Sequence, residues 1–246
     1  MKPTTEAAFE ATIEEYLLTH GGWHKGSATD FDPQLALTSK DLFSFIRDTQ
    51  PSLWQQLEKA HGPALEPGLL EAIVKAMDTR GSLDVLRHGF KFYGKRIDCA
   101  CFKPAHALNS ETLERYRRNR LVVTRQVFFS PEGNDSIDMV LFLNGIPVAT
   151  VELKNRLTGQ TYEHAIAQYK HDRPPTAPLL QFKKRALVHF ALDSELVYMT
   201  TALLRDKTRF LPFNRGHEGG AGNPQHDSGY RTGYLWQDIW QFDSFL

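Results

Sequence analysis

The chain has 246 residues, 41% hydrophobic and 24% charged, enough for one large globular domain or two small ones. Lysine plus arginine balance aspartate plus glutamate at 29 each, so a polyanionic partner would have to be met by local charge and not by net charge. Cys99 and Cys101 form neither an unstrained disulfide nor a zinc set, no apolar run nears the ~20 residues of a membrane span, and MKPTTEAAFE lacks a signal peptide's apolar core. The expectation is a soluble intracellular protein with reduced thiols.

In chain order, residues 5–20 set Phe9, Ile13, Tyr16 and Leu17 at helical spacing, and Gly21-Gly22 closes the run. Residues 39–62 predict two helices parted by Pro51, with Phe43, Ile46, Trp54 and Leu57 as anchors; 69–77 predicts another. Asn109-Ser110-Glu111 opens a helix over 110–119, so roughly the first 120 residues are helix-rich. LVVTRQVFF at 121–129 is β-branched and aromatic, hence strand. A hairpin over 137–154, a helix near 161–171 and strands at 185–192 and 195–201 follow. Strands with a helix between them predict an α/β (α+β) fold, a central mixed sheet flanked by helices. Residues 215–233 predict a loop and 234–246 a helix, which ends on Phe245-Leu246 without a stop signal, as if the chain belonged to a longer one. The whole is expected to be one domain.

The hairpin IDMVLFLNGIPVATVELKN carries the chemistry. Side chains alternate along a strand, so Glu152 and Lys154 share a face. A strict two-residue loop at Asn144-Gly145 pairs Leu143 with Ile146 and Asp138 with Val151, which turns Asp138 away from Glu152. For the three to act together there must be a longer loop, a bulge, or an irregular start to the first strand; Pro147 cannot donate to a ladder and favours an irregularity near the turn. Two close carboxylates on a half-buried sheet repel, and a hard divalent cation such as Mg²⁺ removes that penalty. Such an ion activates water, and Lys154 would stabilise charge developing on a phosphate. The bland alternative is an Asp138 that merely opens a strand and a Glu152–Lys154 pair solvated at a sheet edge.

Arg115, Arg117, Arg118, Arg120 and Arg125 cluster before and on the strand leading to the hairpin; Lys183, Lys184 and Arg185 form a second group and Arg205, Lys207 and Arg209 a third. These could line a cationic cleft for phosphates or be ordinary surface charge. No helix-turn-helix or zinc finger is present, so base readout is not expected. GFKFYGKR at 89–96 nearly matches a phosphate-binding loop, but Arg96 stands where a hydroxyl must reach Mg²⁺ and aromatic residues fill the loop, so no nucleotide-binding site is expected. His189 sits in an apolar strand and reads as a core residue.

Asp138, then Glu152-Leu153-Lys154, resembles the PD-(D/E)XK nuclease motif. With RGSLDVLRHGFKFYGKRI, VTRQVFFS, LFLNGIPVATVELKN, RALVHFALD, VYMTT and FLPFNRG, the whole chain resembles the N-terminal nuclease region of the restriction (motor) subunit of type I restriction–modification enzymes. The resemblance implies a restriction-endonuclease-like fold and a Mg²⁺-dependent endonuclease cutting double-stranded DNA without sequence preference at the cut. Asp138 and Glu152 would bind the metal, joined by a first-helix acid, for which Glu10 is best placed and Glu6 and Glu14 are alternatives; Lys154 would be the catalytic lysine. Arg118, Arg120 and Arg125 would contact DNA or support the site. The family's Gln-x-x-x-Tyr element would start at Gln168, but the position four later is Asp172, and Tyr169 is expected to pack against the sheet. ATP is expected only in motor domains beyond this region, the partners are specificity and methylation subunits, and the location is the cytoplasm of a bacterium or archaeon. The rival is a nuclease-fold module that holds DNA or docks a subunit without cutting.

Overall fold

LVVTRQVF, at 121–128, lies in a seven-stranded sheet that is covered on both faces. The computed structural model describes residues 5–104 and 109–246. In chain order these form α1 (Glu6–Thr19), β1 (His24–Lys25), α2 (Ser39–Thr49), α3 (Pro51–His61), α4 (Leu65–Arg80), α5 (Ser82–His88), β2 (Phe90–Phe92), β3 (Lys95–Ile97), α6 (Ser110–Arg117), β4 (Leu121–Phe128), β5 (Ser136–Leu143), β6 (Ile146–Leu153), α7 (Tyr162–His171), β7 (Val188–Leu192), β8 (Val197–Thr200), β9 (Leu211–Pro212) and α8 (Phe242–Phe245). The sheet runs β1-β4-β5-β6-β7-β8-β9, with β2 and β3 as a separate ribbon. β1 with β4 and β6 with β7 are parallel and the other neighbours antiparallel. α7 supplies the long crossover that the parallel pair β6–β7 requires. The expected α/β class, with helices flanking a mixed sheet, is the observed one.

Alternation along β5 divides the interior in two. Met139 and Leu141 join Val151 and Leu153 in a cluster with Phe9 of α1, Leu42 of α2, Trp54 of α3, Ile73 of α4 and Val85 of α5. Val140 and Phe142 face the other way, onto Ala165 and Tyr169 of α7. Sheets covered on both faces need strands apolar on both, and β5 is so from Met139 onward. α1 starts where the Thr5 side chain accepts the Ala8 N–H at 3.2 Å. Its Phe9, Ile13 and Leu17 are fully buried, each contributing about 2 kcal/mol.

One region takes a form that sequence alone does not assign, and another differs from expectation. The near-match to a phosphate loop is a hairpin: Phe90 pairs with Ile97 and Lys91 with Arg96 about a turn at Tyr93-Gly94, whose φ values are 44° and 78°. Its amides therefore pair across a ribbon, and strands of three residues are too short for alternation to reveal them. The C-terminal helix expected over 234–246 is a π-helical turn at Leu235–Ile239 followed by the four-residue α8. The wider turn, closed by the Trp240 N–H on the Leu235 carbonyl at 2.8 Å, goes with burial of Leu235, Trp236 and Trp240 together. Phe242 then bonds the Gly21 carbonyl, and the Trp23 indole donates to the Trp240 carbonyl.

The β5–β6 turn is fixed from outside as well as within. Asn144 and Gly145 both have positive φ, 51° and 81°. Thr38 donates its N–H to the Gly145 carbonyl, and a Cβ at Gly145 would lie 2.2 Å from the Thr38 carbonyl oxygen. Gly145→Ala is expected to destabilise the protein by about 1–3 kcal/mol, read as a lowered urea midpoint at constant slope. Among the described residues no helix is long and apolar enough to cross a membrane.

Candidate active site

The hairpin keeps its two-residue turn and corrects its register with a bulge. Leu143 pairs with Ile146 and Phe142 with Pro147, but Leu141 pairs with Ala149, which leaves Val148 as the extra residue. From there Met139 pairs with Val151, and the same register carried one residue further sets Asp138 opposite Glu152 instead of Val151, in keeping with the contact between their carboxyl groups. The ladder ends at that point. Asp138 Oδ2 accepts the Leu153 N–H at 2.8 Å, so a side chain takes the place of a strand carbonyl. Lys154 N–H pairs on the other side, with the Leu192 carbonyl at 2.9 Å. The strands thus part where the acids meet.

Glu152 is fully buried. Its Oε1 accepts from Arg173 Nε at 2.7 Å, while Oε2 is buried with no N–H or O–H donor from the other described residues, and the Asp138 carboxyl lies within hydrogen-bonding reach of the Glu152 carboxyl. Burial, and then the neighbouring Asp138 carboxylate, push Glu152 well above the ordinary carboxylate range, further than Arg173 pulls it down. Lys154 is nearly buried, its Nζ 3.5 Å from Glu6 Oε2 in the first turn of α1. Asn155 Nδ2 reaches the Thr5 carbonyl, so the start of α1 closes over the lysine.

Arg173 is the residue that sequence reasoning missed. It is 4% exposed, its Nη2 donates to the Ser136 carbonyl at 2.8 Å, and its guanidinium lies 5.3 Å from the Phe129 ring centroid. It follows α7 in KHDRPP, a run that reads as exposed basic chain, and it stands 21 residues from its acid partner. Nothing in the sequence marks it except a buried acid whose position had first to be known.

Of the remaining candidates, Glu10 lies near enough to Asp138 to feel its charge, but Oε2 is held by Arg125 Nε at 2.9 Å and Oε1 by Gln126 Nε2 at 3.1 Å. Burial raises its pKa, against the pull of Arg125. Among the described residues no group of three metal-ligating side chains comes together, and the side-chain partners of Glu10 are Arg125 and Gln126. The arginines expected to contact DNA or support the site each have partners within the chain: Arg125 also lies 3.6 Å from Glu14, Arg118 bonds Glu114 and the Asp48 carbonyl, and Arg120 pairs with Asp41 at 3.2 Å. Arg185, buried, pairs with Asp78. A guanidinium near an acid in a folded chain takes that acid first, which sequence clustering does not show.

On α7 the residues buried against the sheet are Ala165 and Tyr169. A tyrosine at four-residue spacing is thus preceded by Ala165, whereas counting from Gln168 ends on Asp172, the helix C-cap. Gln168 is half-buried, with Oε1 enclosed and unbonded. Tyr169 packs on the sheet as expected. Thr150 Oγ1, two residues before Glu152, lies 2.8 Å from both the Tyr169 hydroxyl and His189 Nδ1. Burial lowers His189 to about 3, so its ring is neutral. A folded-state value below the unfolded 6.5 means that this contribution is intact above pH 6.5 and lost as pH falls towards 3. His189→Asn is expected to remove an acid-side loss of about 3 kcal/mol between pH 7 and 4, seen by comparing urea titrations of the two proteins over that range.

The donor atoms suit a hard divalent cation. Glu152 offers a buried oxygen without a donor from other residues, Asp138 lies opposite with one oxygen engaged by a backbone amide, and both are carboxylates. What fold and site define is an α/β protein with an acid–acid–lysine set where two central strands separate. The chain belongs to the family of type I restriction enzyme R protein N-terminal regions, whose model matches residues 4–208, and this places it in the R subunit of a restriction–modification enzyme. Comparison with curated proteins gave no match.

Proposed function

We propose that the chain is the Mg²⁺-dependent endonuclease domain of its R subunit, with a restriction-endonuclease-like fold, and that it hydrolyses phosphodiester bonds of double-stranded DNA without sequence preference at the cut. The observation that carries this reading is the Val148 bulge, which brings the Asp138 and Glu152 carboxyl groups within hydrogen-bonding reach of each other, with Glu152 two residues before Lys154. Asp138 and Glu152 would hold the ion, which when bound supplies Lewis-acid polarisation of the phosphate and a water of lowered pKa. Lys154, two residues beyond Glu152, places an ammonium where charge develops on the phosphate oxygens. The Leu153 amide orients Asp138, and Arg173 orients Glu152. The working partners in this reading are DNA and the specificity and methylation subunits, in the cytoplasm, with ATP used by motor domains elsewhere in the subunit.

Titration calorimetry with Mn²⁺ and Mg²⁺ tests the reading. Heat is expected for the wild type and its loss in Asp138→Asn; a wild type that binds neither ion sinks it. A second reading, a non-cutting module that holds DNA or docks a subunit, is favoured by one observation: Arg173 already gives Glu152 a cationic partner. On that reading neither ion gives heat that depends on Asp138.

A further inference from the structure

Every carboxylate around the site has a protein partner for one or both oxygens, and counting what remains sets a limit. Glu152 Oε1 is held by Arg173, Asp138 Oδ2 by the Leu153 amide, and both Glu10 oxygens by Arg125 and Gln126. One oxygen of Glu152 and one of Asp138 are left without a donor from other residues, and these two carboxyl groups lie within reach of each other. Two hard cations side by side need a bridging carboxylate that contributes both oxygens, the remaining positions being filled by water. Here the place of a second cation beside Glu152 is taken by a guanidinium.

We infer that Arg173 is the positioning residue of this site: it fixes Glu152 so that a single oxygen is offered, and it restricts the site to one divalent ion. The inference rests on the proposed metal role of Asp138 and Glu152. The geometry supports it from three sides. Arg173 is buried, so its charge is not dissipated in solvent. Its two donating nitrogens join Glu152, at the end of β6, to the Ser136 carbonyl, at the start of β5, and so brace the two strands where their ladder stops. The guanidinium carbon lies over the Phe129 ring, 5.3 Å from its centroid. An ammonium in its place would keep the charge but could not span both acceptors in fixed geometry.

The test is ion stoichiometry and affinity in the full chain, by calorimetry with Mn²⁺ and by the Mn²⁺ electron paramagnetic resonance spectrum, which reports spin coupling between adjacent ions. The wild type is expected to bind one ion per chain with no coupling. Arg173→Lys is expected to bind one ion still, about 10- to 100-fold more weakly, the usual effect of losing an outer partner of a metal ligand. Arg173→Met, assayed with saturating Mn²⁺ to favour the folded state, is expected to bind two. Two coupled ions in the wild type overturn the inference and leave the metal role of the acids standing. Absence of binding in the wild type overturns that role and the inference with it. Unchanged affinity in Arg173→Lys overturns the positioning role, as does a folded Arg173→Met that binds one ion. Where Arg173→Met does not fold, the wild type and Arg173→Lys decide.

Discussion

Lys154→Met is expected to reduce Mg²⁺-dependent DNA cleavage by the assembled restriction enzyme on the order of 10²- to 10³-fold, the range seen when one preorganised charge-stabilising group is removed. Methionine preserves the length and apolar stem of the side chain. It removes an ammonium whose one short polar contact among the described residues is a 3.5 Å approach to Glu6, a long pair whose glutamate side chain is 32% exposed and so worth little to the fold. Stability and ion binding should therefore stay close to wild type while cleavage disappears. Cleavage at the wild-type rate, or loss of ion binding in step with loss of cleavage, would show that the lysine acts otherwise than on the reacting phosphate.

Arg173→Met has the largest expected effect on stability. It removes the cation from a carboxylate that is fully buried and lies opposite a second one. Breaking a buried pair from one side costs roughly 3–5 kcal/mol, because the remaining charge keeps its desolvation penalty. Glu152 already has a folded-state pKa above its unfolded value, so its ionisation costs stability as pH rises through that window. Without Arg173 that cost grows, and the variant should lose more at pH 8 than at pH 5. Glu152→Gln in the Arg173→Met background should restore most of the loss, since neither buried group is then charged. Denaturant titrations of the two single variants and the double measure the coupling directly. A double variant no more stable than Arg173→Met would mean that the pair is not the source of the loss.

The hairpin shows how far the sequence carries. Its strands, its turn and its three polar residues were legible because alternation and Asn-Gly are local signals. The register was legible only as a dilemma: the simple turn set Asp138 on the wrong face, and Pro147 hinted at an irregularity without locating it. The answer, one extra residue at Val148, depends on how β5 and β6 lie in a sheet assembled from distant segments. The same limit explains the arginines. Arg125 and Arg120 look available in sequence, but Glu10 and Asp41 reach them across 115 and 79 residues. Arg173 was hidden for the converse reason, since its burial is created by α7 and the strands together. Helices α1 to α4 were predicted because each carries long apolar periodicity; α5 and the β2–β3 ribbon were missed because seven and three residues carry almost none.

The C-terminal turn also bears on where this protein can be cut. The family match ends at residue 208, yet Tyr230 stacks on Phe9 at 4.8 Å, and Trp236 and Trp240 lie in the same cluster as α1. A fragment trimmed to the homology boundary would carry a bare greasy stripe along its first helix, the helix whose opening residues roof Lys154. Such a fragment should clump, and any failure of it to cleave would say more about an uncovered first helix than about chemistry.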